Sequence, residues 1–194
     1  MLSYADKRTE FINTCQRAFL LGMQLSTGGN VSIKLEDNVF LVKPSGISLF
    51  DLDARQLLLT DKTGRVMSGH GNPTKEFTSH AAIYGARADI GAIVHYHPAY
   101  ATAFAVRNLT IPLLTVHARR ILKSLPLAPA GPEGGSQLAG LLKEMFAAPE
   151  VHGAVMSEHG IIAAGKDLKD AQNMAELIEE SARIALLSSL LPSG

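Results

Sequence analysis

Gly91-Ala92-Ile93-Val94-His95-Tyr96-His97-Pro98 is the stretch from which this chain is best read. Ile90 through Val94 is short, apolar and β-branched, the pattern of a buried strand, and Pro98 ends it. Side chains two apart in a strand share a face, so His95 and His97 can converge on one point. Two neutral imidazoles converging there would supply half of a tetrahedral zinc site. A His-x-His pair alone is equally compatible with packing or a solvated role. A third histidine would shift that balance.

Working outward, 194 residues suit one domain, spanning 1–194, that is large enough for a core without staples. Hydrophobic residues make up 46% and charged residues 19%, and the formal net charge is zero. That balance argues against nucleic acid or a membrane surface as partner, while a small anionic substrate stays open. Cys15 is the only cysteine, which excludes an intrachain disulfide and a cysteine-based metal site. No run approaches 18 apolar residues and no signal-peptide pattern opens the chain, so a soluble cytoplasmic protein is expected.

Before the central stretch, Ser3 and Asp6 mark a helix start, and Phe11, Cys15, Phe19 and Met23 recur at helical spacing. That helix is expected to end before Thr27-Gly28-Gly29-Asn30. Residues 31–35 and 39–43 read as a hairpin closed by Pro44-Ser45-Gly46, and residues 57–61 as a strand. Exposed N–H groups in the two glycine loops, with Asn30, Ser32 and Ser45, could hold a phosphate, although ordinary turn chemistry explains them as well. Pro73 and Thr74 open a helix with Glu76 in its first turn and His80 one turn later. Each has a plain alternative: Glu76 as a helix-start charge, and His80 as a packing residue.

After Pro98, residues 99–106 should be helical, and Ile111-Pro112 to Val116 an edge strand. Leu125 to Pro132 reads as extended or loop, and a helix runs from Gly135 or Ser136 to about Ala148. Two short strands meeting at His159-Gly160 would put that imidazole at a tight turn. Asp167 to about Leu190 closes as an amphipathic helix with Ala171, Met174, Ala175, Ile178 and Ala182 on one stripe.

Thr27-Gly28-Gly29-Asn30-Val31-Ser32, Lys43-Pro44-Ser45-Gly46, Pro73-Thr74-Lys75-Glu76 with His80, Val94-His95-Tyr96-His97 and Glu158-His159-Gly160 follow one another in an order that resembles the class II aldolase/adducin family. The resemblance covers nearly the whole chain. It implies an α/β fold, three-layer α/β/α around a central, mainly antiparallel sheet, in a homotetramer with active sites near subunit interfaces. By the same resemblance His95, His97 and His159 match zinc ligands, one Zn2+ per subunit, and Glu76 the catalytic acid/base. Gly29, Asn30, Ser45, Gly46, Thr74 and Lys75 match positions that bind substrate phosphate. The implied reaction is a lyase cleavage of a phosphorylated ketose, such as L-fuculose 1-phosphate, to dihydroxyacetone phosphate and an aldehyde through a metal-stabilised enediolate. Epimerase, sugar-acid-phosphate decarboxylase and methylthioribulose-phosphate dehydratase chemistries also occur in the family. Adducin-type members are structural and do not keep the ligands, whereas all three histidines stand here.

Two departures bear on the substrate. The family's fuculose-phosphate aldolase carries a tyrosine soon after the Ile-Pro segment that reaches the site from a neighbouring subunit, where this chain reads Leu114-Thr115-Val116-His117-Ala118-Arg119-Arg120. His117 or an arginine would have to substitute. Thr74-Lys75 also stands where that aldolase has paired serines, which sets a cation next to Glu76.

Overall fold

A computed structural model describes residues 3–132 and 134–192. The helices are α1 (Tyr4–Leu20), α2 (Phe77–Tyr84), α3 (Ala99–Val106), α4 (Val116–Leu122), α5 (Ser136–Phe146) and α6 (Leu168–Ser189). The strands are β1 (Asn30–Glu36), β2 (Val39–Val42), β3 (Leu58–Thr60), β4 (Val66–Ser68), β5 (Ala92–Tyr96), β6 (Leu127–Ala128), β7 (Gly153–Met156) and β8 (Gly160–Gly165). All eight form one sheet in the order β4-β3-β2-β1-β5-β8-β7-β6. Every neighbouring pair is antiparallel except β6 with β7.

Alternation along the strands sorts the apolar side chains into two cores, which is what makes three layers. On one face Val31, Ile33, Val94, Tyr96 and Ile161 pack with Phe11 and Cys15 of α1, Ala101 of α3, Leu122 of α4 and Ile178 of α6. On the other face Phe40, Val42, Ile93 and Ile162 pack with Phe77 and Tyr84 of α2 and Leu142 and Phe146 of α5. His95 has the parity of Ile93, so it faces the α2 side, where Glu76 lies. The site is therefore a product of strand parity and of where α2 begins.

Three sequence expectations change. First, α1 stops at Leu20, and Met23 lies beyond it. Gly22, at φ +71°, ends the helix in a left-handed turn, with Gly22 N–H donating to Phe19 O and Met23 N–H to Ala18 O, each at 2.9 Å. Second, residues 111–116 are not an edge strand. Pro112 has no N–H to give a ladder, and Arg119 Nη1 donates to the carbonyls of Leu113 (3.1 Å) and Leu114 (2.7 Å). Thr115 then caps α4 by accepting from Ala118 N–H at 3.0 Å. Third, Glu76 is the residue before α2 rather than part of its first turn, and its side chain makes no cap hydrogen bond.

Behind the site lies a buried polar cluster. Ser32 Oγ is 2.8 Å from both His80 Nδ1 and the Tyr84 hydroxyl, and Tyr84 also donates to the Ser32 carbonyl at 3.0 Å. His80 and Tyr84 are four apart on α2, so both reach β1 from one helix face. Burial pushes the His80 pKa down to about 3, against an ordinary value of 6.5. Between those values the unfolded chain binds a proton that the folded chain refuses. Stability is therefore full above about pH 6.5 and lost as pH falls, by about 1.4 kcal/mol per pH unit from this group. Chemical denaturation of metal-free protein from pH 7 to 5 should show stability falling at least that steeply, because buried His95 refuses a proton as well, and His80→Gln should reduce the slope by about one proton.

Candidate metal centre

His95 is held by β5 and by its pairing on both sides. His95 lies opposite Asn30 of β1 and opposite Ile162 of β8. His97 comes one residue past the end of β5, and His159 sits in the turn joining β7 to β8. That turn is tight: Glu158 adopts φ +62°, and His159 N–H donates to Met156 O at 3.0 Å. Gly160 lets the turn press against β5. A Cβ there would collide with the Tyr96 carbonyl oxygen and would lie 2.7 Å from His97 Cδ2. Gly160→Ala should cost about 1–3 kcal/mol by overpacking and displace the His97 ring. Thermal unfolding together with zinc uptake checks both effects.

One donor nitrogen from each of His95, His97 and His159 lies within 4.8 Å of the others, the one such group of three found among the described residues. His95 Nε2 and His97 Nε2 are 3.0 Å apart. A carbonyl only accepts, so the 2.8 Å contact between His95 Nδ1 and Ile161 O puts the proton on Nδ1 and turns the Nε2 lone pair into the site. Burial, and then the nearby charged forms of His97 and His159, hold the His95 pKa well below the ordinary imidazole value. A neutral imidazole is the form that binds a metal.

Glu76 stands beside the three imidazoles. Its Oε2 accepts from Asn30 Nδ2 at 2.7 Å and lies 3.4 Å from His95 Nε2, and its Oε1 lies 3.6 Å from His159 Nε2. Tetrahedral donors each about 2.0–2.1 Å from zinc are roughly 3.3 Å from one another. The 3.0 Å between His95 and His97 is close to that, and three imidazoles within 4.8 Å of one another can close on such an ion, with the carboxylate beside it. Histidine and carboxylate donors without cysteine also suit zinc in a catalytic rather than structural setting.

The loops expected to bind phosphate adjoin this group. Lys43 Nζ donates to Thr27 O at 3.4 Å, Ser45 N–H donates to Asn72 O at 2.9 Å, and Pro44 bridges to Pro73. A Cβ on Gly28 would come within 3.3 Å of His97 Nδ1, so the Gly28-Gly29 loop abuts a histidine. Gly29 and Gly46 both hold positive φ, +66° and +78°. Ser45, Gly46 and Lys75 are exposed, and Thr74 Oγ1 accepts from Glu76 N–H at 3.3 Å. The Ser45 N–H is thus committed to Asn72. The exposed Ser45 hydroxyl and Lys75 ammonium of this stretch can reach a ligand.

Gln24 carries no signal in the sequence, and the burial of Lys43 is not legible in the motif that contains it. Lys43 is 2% exposed, and burial lowers its pKa. Gln24, in what reads as a plain connection after α1, accepts from His97 N–H at 3.0 Å. His117, the candidate substitute for the missing tyrosine, lies elsewhere. It lines a cleft of about 730 Å³ with Leu21, Tyr100, Ile121 and Arg183, and none of the three site histidines borders that cleft.

Comparison with known proteins places these features in a lineage. Residues 9–186 match the family described as the class II aldolase and adducin N-terminal domain. An L-fuculose phosphate aldolase of Methanocaldococcus jannaschii is 33% identical over 186 residues, covering 96% of this chain and 98% of the relative. One from Methanococcus maripaludis is 31% identical over 176 residues, covering 91% and 94%. Among solved structures, YgbL of Klebsiella pneumoniae, described as an aldolase, epimerase or decarboxylase, superposes with a TM-score of 0.87 at 26% identity, covering 99% of this chain and 94% of that one. An L-fuculose 1-phosphate aldolase superposes with a TM-score of 0.83 at 28% identity, covering 100% and 93%.

Proposed function

This chain belongs to the class II aldolase and adducin N-terminal domain family, and from that premise we propose that it is a zinc-dependent aldolase cleaving a phosphorylated ketose such as L-fuculose 1-phosphate to dihydroxyacetone phosphate and an aldehyde. The observation that supports the reading most is the convergence of three imidazole donors within 4.8 Å of one another, with the Glu76 carboxylate beside them. A structural member of the family would have no use for that donor set. A bound zinc would supply a Lewis acid for the ketose carbonyl.

The chain's own residues do the rest. His95, His97 and His159 would hold the ion. Glu76, beside it, would move the proton that carbon–carbon cleavage requires, and Asn30 Nδ2 keeps that carboxylate aimed into the site. Gly29, Asn30, Ser45, Gly46, Thr74 and Lys75 would receive the phosphate, with Lys75 as the cation. The assembly is proposed to be a homotetramer, which light scattering tests. No helix among the described residues is long and apolar enough to cross a membrane, and a cytoplasmic location is proposed with that.

The deciding experiment is zinc content by mass spectrometry combined with product analysis over a panel of phosphorylated ketoses and sugar-acid phosphates. Release of dihydroxyacetone phosphate supports the aldolase. Release of carbon dioxide, epimerisation or dehydration would instead assign one of the family's other chemistries to the same residues. Lys75→Ala should raise KM for a phosphorylated substrate about 10-fold with kcat little changed, the mark of binding lost equally from ground and transition states. An equal KM for the unphosphorylated sugar would refute the phosphate assignment.

A further inference from the structure

The Gln24 side chain is 5% exposed and has both ends of its amide engaged. Oε1 accepts from the backbone N–H of His97 at 3.0 Å, and Nε2 donates to Leu25 O at 2.7 Å. Directly above the amide run Gly28 and Gly29. A Cβ on Gly28 would lie 2.7 Å from Gln24 Nε2, and one on Gly29 would lie 2.8 Å from both Cγ and Oε1. Side chains of any size at these two positions would push the amide off His97.

His97 needs such a partner because of where it stands. β5 ends at Tyr96, so the ladder that orders His95 does not extend to the next ligand. A backbone N–H just past a strand end turns to a side chain or to water for its bond. Gln24 provides an acceptor inside the protein. The same side chain also seats the glycine loop that the proposed phosphate site uses.

We propose that Gln24 is a positioning residue that sets the backbone of His97 and couples the Gly28-Gly29 loop to the metal centre. The inference rests on the reading of His95, His97 and His159 as metal ligands. The two glycines are then required for more than a turn, since their missing side chains make room for the amide that orients a ligand. Gln24 touches neither the ion nor the substrate. It acts through His97.

The test is zinc affinity, measured by competition with a chromophoric chelator well below the thermal midpoint of each metal-free protein. Gln24→Met keeps the length of the side chain and removes the acceptor. It should weaken zinc about 10-fold, the lower end of what an outer-shell partner costs. Gly29→Ala leaves Gln24 in place chemically but displaces its amide, and should weaken zinc similarly. The double variant should bind about as well as either single one, because both changes break the same contact. Gly29→Ala also serves if Gln24→Met does not fold. Unchanged affinity in the folded variants, or losses that simply multiply in the double, overturns the proposal. A purely structural Gln24 would lower the thermal midpoint without moving zinc affinity, which is also a refutation. A wild-type chain that takes up no zinc overturns the metal reading itself, and this inference with it.

Discussion

His95→Ala is expected to leave a folded protein that carries no zinc after dialysis and turns over at the background rate. His95 is 1% exposed, it sits in the central ladder, and its Nε2 lies within 3.4 Å of both His97 Nε2 and a Glu76 oxygen. Removing it takes away a donor and leaves two imidazoles that cannot close a tetrahedral site. The loss in affinity should be far beyond the roughly 10–100-fold that follows removal of an outer partner. Fold stability should fall by about 1–3 kcal/mol, because Ile161 O loses its donor in a buried place. His80→Ala is the matched control: it too removes a buried imidazole from the same side of the sheet, yet zinc should stay bound. Zinc retained by His95→Ala at one per chain would disprove the ligand assignment.

Glu76→Gln should separate chemistry from metal binding. The amide keeps the size of the carboxylate and can still accept from Asn30 Nδ2, so the loop before α2 should hold its place. What goes is a base. Turnover on the best substrate should fall roughly 10²–10⁴-fold, the usual range for losing a positioned acid/base, while zinc content and thermal midpoint stay near wild type. Near-normal turnover on every ketose phosphate would mean that another group moves the proton. His117 would then be a poor next choice within one subunit, since it lines the separate cleft beside α6.

The parts of the molecule legible in the sequence are those set by local pattern. The β1–β2 hairpin, α3, α5, α6 and the β7–β8 turn follow from periodicity and from breakers such as Pro98 and Gly160. The layered architecture came from the family resemblance and is seen in the two cores. Residues 111–116 escaped because β-branched content is only a tendency, and Arg119, several residues on, claims the carbonyls a ladder would need. The end of α1 escaped for a different reason. Apolar spacing runs on to Met23, past the left-handed turn that Gly22 makes. Gln24 and the burial of Lys43 were not legible, because they depend on which loops meet at the end of β5, and no spacing along the chain encodes that meeting.

The pairing of β5 with β8 has a consequence for how the protein is made. His95 and His97 are translated long before His159, and the strand that carries the third histidine into place lies near the end of the chain. Closing a loop of that length costs entropy before any contact repays it. A growing chain therefore exposes two-thirds of a ligand set with nothing to finish it. An ion held by the proposed three histidines would lock a sheet in which β8 has already paired with β5, rather than template an earlier step.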